Sequence, residues 1–205
     1  MIVVLDTQGN IKQSSRALQE GLNIFGNVYG KVQPDFTLSP VSDPSECSPV
    51  FLDAAAVFIC VKQGKFEWAA PDVCAIRDLF YGKNGEGELV LGDDFFEIAS
   101  HFPSLILDKE SVQDFVRHGY LGPGQTFFKE ICRVKVGTKI TLGQGDVKEE
   151  SLWQDSTQPK ERTYEAFKGA FLSALELHHI GDQDGILLSA GCDSGLVAAA
   201  AALHF

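Results

Sequence analysis

The sequence predicts an α+β chain in which a β-rich part over residues 1–150 precedes the first helix, strand and helix of an α/β domain. Three observations predict it. Short apolar runs separated by Gly-containing turns fill the first part, the longest spanning residues 55–61. From Gly143 to Arg162 the composition turns polar, rich in Gly, Asp, Glu, Gln, Ser and Lys, which places a domain boundary near residues 150–160. Beyond it, Gly185-Ile-Leu-Leu-Ser-Ala-Gly-Cys-Asp-Ser194 combines an apolar run, a loop of small residues and a helix start in immediate succession.

Taken in order, residues 1–36 alternate apolar runs with polar turns, and Gln8-Gly9-Asn10 reads as a hairpin turn between two early strands. Residues 39–49 hold Pro40, Pro44 and Pro49 among Ser, Asp and Glu, which predicts a surface loop. Residues 55–61 form a strand, Gln63-Gly64-Lys65 a turn, and Phe66-Glu67-Trp68 begins the return strand. Residues 75–81 and 88–91 flank Lys83-Asn84-Gly85-Glu86-Gly87, a hairpin signal because Asn-Gly accepts positive φ. A short helix over 94–101 follows. Asp108 is placed to cap a second helix over 109–118, with Val112, Phe115 and Val116 on one face and Gly119 as its stop. Strands near 127–134 and 139–142 close this part. After the polar link, Thr163 caps a helix whose Tyr164, Phe167, Phe171 and Leu175 make an apolar stripe, expected to face a core. Gly181-Asp-Gln-Asp184 ends that helix.

Ile186, Leu187 and Leu188 suit a parallel strand covered on both faces. Ser189-Ala190-Gly191 then exposes backbone N–H groups with little side-chain bulk, and Asp193 or Ser194 opens the final helix. Unpaired N–H groups and the positive end of the helix dipole favour an anion such as a nucleotide pyrophosphate. The same six residues also suit a plain strand-to-helix turn with an Asp or Ser cap.

Bulk properties narrow the function. A formal charge of −11, with 17 basic residues that form no dense run, argues against a nucleic-acid partner. Cys47, Cys60, Cys74, Cys132 and Cys192 are widely spaced and include no Cys-x-x-Cys pair, so neither a disulfide framework nor a zinc site is expected and a reducing cytoplasm fits. The start, Met1-Ile-Val-Val-Leu-Asp6, is too short and uncharged for a signal peptide, and no apolar run reaches membrane-spanning length. No membrane partner is expected.

The order of elements, together with Ser189-Ala190-Gly191-Cys192-Asp193-Ser194, resembles the asparagine synthetase family, whose pyrophosphatase loop reads Ser-Gly-Gly-x-Asp-Ser. Ser189, Gly191, Asp193 and Ser194 match; Ala190 departs. Upstream, Asp78-Leu79-Phe80-Tyr81 is similar to the family's Pro-Leu-Tyr-Tyr strand and Gly92-Asp93 to its Ser-Ser-Asp or Ser-Ser-Glu strand end. The segment from Gly119 to Ile131 is similar to the one leading to a Leu-x-Pro-Gly turn, here Val134-Lys-Val-Gly137.

The resemblance implies an Ntn-hydrolase-like αββα sandwich over residues 1–150, a degenerate amidotransferase domain, and the start of an α/β adenine-nucleotide hydrolase-like synthetase domain over 156–205. It implies that Ser189, Gly191, Asp193 and Ser194 bind the triphosphate of ATP, with Mg²⁺ as the cofactor that accompanies the nucleotide. A small-molecule or peptide carboxylate would attack the α-phosphorus to give an acyl-adenylate and pyrophosphate, and an amine would then displace AMP.

Departures shape that expectation. The family's glutaminase uses an N-terminal cysteine exposed by removal of Met1, whereas position 2 here is Ile2 and the first cysteine is Cys47. Asn84-Gly85-Glu86, beside the family's Tyr-Asn-Gly-Glu segment, follows the Leu79-Phe80-Tyr81 strand instead of preceding it, and a hairpin turn accounts for it. No catalytic residue and no metal ligand is expected within this chain. The chain stops one helix after the loop, so it is expected to be a fragment or one subunit of a split enzyme, completed by further C-terminal sequence or a partner subunit and inactive alone in amide formation.

Other residues have plainer readings. His178 and His179 point about 100° apart on a helix, which suits a C-terminal cation better than a metal site. Cys192 fills a small position in the loop, and Asp93-Asp94 begin a helix. Two functions remain open: an ATP-dependent amide ligase without glutaminase activity, or a non-catalytic pseudo-amidotransferase used for binding, regulation or assembly.

Overall fold

A computed structural model describes residues 1–28, 54–152, 163–179, 181 and 185–205 of the chain. They fall into two compact units, residues 1–28 with 54–152 and residues 163–179 with 181 and 185–205. The loop expected at 39–49 lies outside the described residues, as does the second half of the polar stretch, residues 153–162.

The first unit is α+β with two antiparallel sheets. Sheet 1 has the order β2-β1-β7-β6-β8, built from β1 (Ile2–Leu5), β2 (Ile11–Ser14), β6 (Phe80–Lys83), β7 (Leu89–Gly92) and β8 (Ile131–Arg133). Sheet 2 has the order β10-β9-β5-β4-β3, built from β3 (Gly21–Val28), β4 (Ala54–Lys62), β5 (Lys65–Pro71), β9 (Thr138–Gly143) and β10 (Asp146–Ser151).

The sheets face each other through one shared core. Val3, Leu5, Leu89 and Leu91 of sheet 1 pack with Val57, Ile59, Ala69 and Ile140 of sheet 2. Strand β4 shows why its sequence is apolar throughout: side chains alternate across a strand, and both of its faces are covered. Val57, Ile59 and Val61 enter the shared core, while Ala56, Phe58 and Cys60 join Trp68 and Leu22 on the opposite face. Each large apolar side chain buried in this way stabilises the unit by roughly 1.5–3 kcal/mol.

Among the described residues of this unit are two helices, α1 (Phe95–Ala99) and α2 (Lys109–His118). Asp94 caps α1 by accepting from the Glu97 N–H at 2.9 Å, and Ile98 packs with Ile2, Val4 and Val90 on the outer face of sheet 1. Asp108 caps α2 and accepts from the Ser111 hydroxyl at 2.6 Å, a bond that holds its carboxyl below the usual carboxylate range. Gly119, at φ 80°, closes α2 in the left-handed conformation expected of such a stop.

Three expectations for this unit are corrected. Residues 75–79 are not a strand, because the buried Asp72 carboxylate accepts from the N–H groups of Cys74, Ile76 and Arg77 and folds that segment into a loop. The polar stretch after Gly143 is not all link. Gln144 (φ 53°) and Gly145 (φ 82°) make a two-residue turn into β10, whose charged side chains suit an edge strand with one solvated side. On α2 the buried residue is Ser111; Val116 is 79% exposed, and Phe115 meets Phe127 edge to face at the surface.

Gly82 in β6 admits no side chain, since a Cβ there would lie 2.2 Å from the Glu130 carbonyl oxygen and 2.8 Å from the Phe102 ring. Gly82→Ala is expected to lower stability by about 1–3 kcal/mol or more, as overpacking in a close-packed core does. Denaturant unfolding of the variant checks it; an unchanged midpoint would refute the close approach.

In the second unit, Thr163 caps α3 (Tyr164–His178) by accepting from the Ala166 N–H at 3.1 Å, as expected. The last helix is α4 (Cys192–His204). Glu176 meets His204 at 2.7 Å, and the His179 and Phe205 rings stack at 4.1 Å. The stripe on α3 is not a core: neither helix has a buried residue, and Phe167, stacked on Phe171, is 60% exposed. Residues 186–188 are not a strand either. A strand needs a ladder partner, none of the described residues pairs with this segment, and Leu187 is 96% exposed.

Candidate functional site

The loop Ser189-Ala190-Gly191 turns directly into α4, and its geometry follows from its small residues. Gly191 is the N-cap, with φ −84° and ψ 155°, so the cap stands two or three residues before the expected Asp193 or Ser194. The helical ladder begins with the Gly195 N–H donating to the Gly191 carbonyl. The N–H groups of Cys192, Asp193 and Ser194 precede it, and no described residue accepts from them. They point out of the first turn with the positive end of the dipole behind them.

The two hydroxyls hold the loop. Ser194 Oγ accepts from the Ser189 N–H at 3.1 Å, and it lies 2.8 Å from Ser189 Oγ and 3.2 Å from the Ser189 and Gly191 carbonyl oxygens. Ser189 Oγ accepts from the Gly191 N–H at 3.2 Å. Two loop amides are therefore capped by the loop's own side chains, while the first-turn amides are open. The structure brings Ser189, Gly191, Asp193 and Ser194 together; Asp193 stands in the first turn as its acidic residue. Cys192 is exposed as the first helical residue.

In the first unit, β1 lies between β2 and β7, inside sheet 1. Ile2 pairs with Gly92 and is 3% exposed, packed on Ile98 and Phe102. Its side chain offers no lone pair or labile proton. Beside it, the Met1 amino nitrogen donates to Asp93 Oδ1 at 2.5 Å and lies 3.4 Å from Glu97, while Arg77 Nε meets Asp93 Oδ2 at 2.8 Å. Asp93 is thus a nearly buried ion-pair partner, and Asp94 alone caps α1.

Sequence reasoning missed a second polar cluster. Tyr81 on β6 and Cys132 on β8 are cross-strand partners, and the Tyr81 hydroxyl donates to Glu149 Oε1 of β10 at 3.0 Å. Lys135 meets Glu149 Oε2 at 2.8 Å. Burial pushes the Cys132 thiol up, and burial, with the neighbouring Cys132 and the Glu149 carboxylate, pushes the Tyr81 phenol up. The missing signal was β10: with residues 146–151 taken as link, Glu149 had no reason to face Tyr81.

Among the described residues no group of three or more His, Cys, Asp or Glu side chains could hold a metal ion, and no helix is long and apolar enough to cross a membrane. Neither a scan against protein-family models nor a search of curated proteins finds a match to this chain.

Proposed function

We propose that the Ser189–Ser194 loop is the pyrophosphate cradle of an asparagine synthetase-like, ATP-dependent amide ligase, and that the first unit is a degenerate Ntn-type glutaminase sandwich. The observation that carries this reading is the run of three open amides, Cys192, Asp193 and Ser194, directly behind a loop whose two serines flank a glycine. Two antiparallel sheets packed face to face, with β1 inside sheet 1 and α1 on its outer face, support the second half of it.

In this reading the amides and the helix dipole bind the triphosphate and stabilise the pyrophosphate that departs when a carboxylate attacks the α-phosphorus. Ser189 and Ser194 exchange their mutual bond for bonds to the anion. Gly191 lets the backbone approach closely. Asp193, the acidic residue of the first turn, would face Mg²⁺ bound with the nucleotide, and the ion would supply neutralisation of the phosphate charge. The substrates are a small-molecule or peptide carboxylate and an amine, with further C-terminal sequence or a partner subunit completing the ligase.

Amide chemical shifts under titration with Mg²⁺–ATP and with inorganic pyrophosphate test this. Shifts should concentrate at residues 190–195, and the Ser189→Ala, Ser194→Ala double variant should bind at least about tenfold more weakly, since hydrogen bonds to charged groups are worth about 1.5–3 kcal/mol. Shifts scattered elsewhere, or none, would sink the assignment.

The first unit is proposed to release no ammonia. Ile2 stands where the nucleophilic thiol would be, so glutamine incubated with the protein should yield no glutamate above background. Sustained, enzyme-proportional glutamate formation would overturn that. A non-catalytic pseudo-amidotransferase is the second reading, favoured by the mutual capping of Ser189 and Ser194. It predicts no nucleotide response at the loop.

A further inference from the structure

We draw no further inference here: the strongest candidate, the Tyr81–Cys132–Glu149–Lys135 side-chain cluster between β6, β8 and β10, holds its one nucleophile as a thiol that burial keeps protonated and has nothing beside it that points to a ligand.

Discussion

Asp72→Ala is expected to destabilise the first unit by about 3–5 kcal/mol, enough to remove a large part of the stability of an ordinary domain. The carboxylate is fully buried and accepts four backbone N–H groups: Ala56 at 3.2 Å, Cys74 at 3.1 Å, and Ile76 and Arg77 at 3.0 Å. Hydrogen bonds to a charged acceptor are worth more than neutral ones, and each buried donor left unpaired carries its own desolvation cost of about 1–3 kcal/mol. Water entering the vacated space would recover part of that, which sets the upper bound.

The loss is structural in a further sense. Asp72 ties β4, through Ala56, to the loop that holds Ala75 at φ 47° and carries Arg77 to Asp93. Without the carboxylate the left-handed Ala75 keeps its own N–H bond to the Asp72 carbonyl oxygen at 2.9 Å, but the turn loses the three side-chain bonds to Cys74, Ile76 and Arg77 around it. Asp72→Asn, which keeps one acceptor oxygen, should cost distinctly less than Asp72→Ala. Chemical denaturation of both variants reads the difference; a loss below about 1 kcal/mol for Asp72→Ala would show that the four contacts are not formed together.

The same residue marks where sequence reading stops. Local signals were legible: Asp108 and Thr163 as caps, Gly119 as a left-handed stop, and Gln63-Gly64 as a hairpin turn at φ 54° and 70°. Each acts within four residues of itself, so a window of sequence contains both partners. The segment over 75–79 looked extended because its controlling contact, a carboxylate consuming its amides, has no hydrophobic signature. β10 was hidden for another reason. An edge strand needs only one apolar face and favours charge on its open side, so Asp146–Ser151 has the composition of a link.

For the candidate site, position was legible and state was not. The order of small residues, Asp and Ser before an Ala-rich helix placed the loop and the helix within a few residues. The tie between Ser189 and Ser194, five residues apart, depends on hydroxyl rotamers that no pattern encodes. Likewise, the apolar run Ile186-Leu187-Leu188 has strand composition, yet strand formation is decided by a partner and not by the run itself.

Gly191→Asp is expected to separate stability from anion binding at this loop. Gly191 already holds N-cap geometry, and a Cβ there would meet only Ser189 Oγ, at 3.2 Å, a contact that a serine side chain relieves by a small rotation. Aspartate is a better N-cap than glycine by a few tenths of a kcal/mol, because its carboxylate accepts from the amides two or three positions on. In α4 those are the amides of Asp193 and Ser194, the ones proposed for pyrophosphate. The carboxylate would therefore occupy the cradle and repel an incoming phosphate. Unit charges about 4 Å apart near a protein surface repel by roughly 4 kcal/mol, and screening in salt reduces this at an exposed loop. A loss of binding of about tenfold to a hundredfold is the expected result, with helix content by circular dichroism unchanged or slightly raised. Loss of binding together with loss of helix would point to misfolding and is the reason the helical readout is required. Unchanged Mg²⁺–ATP affinity with α4 intact would mean that the first-turn amides of α4 do not hold the nucleotide, and the ligase reading would lose the observation it stands on.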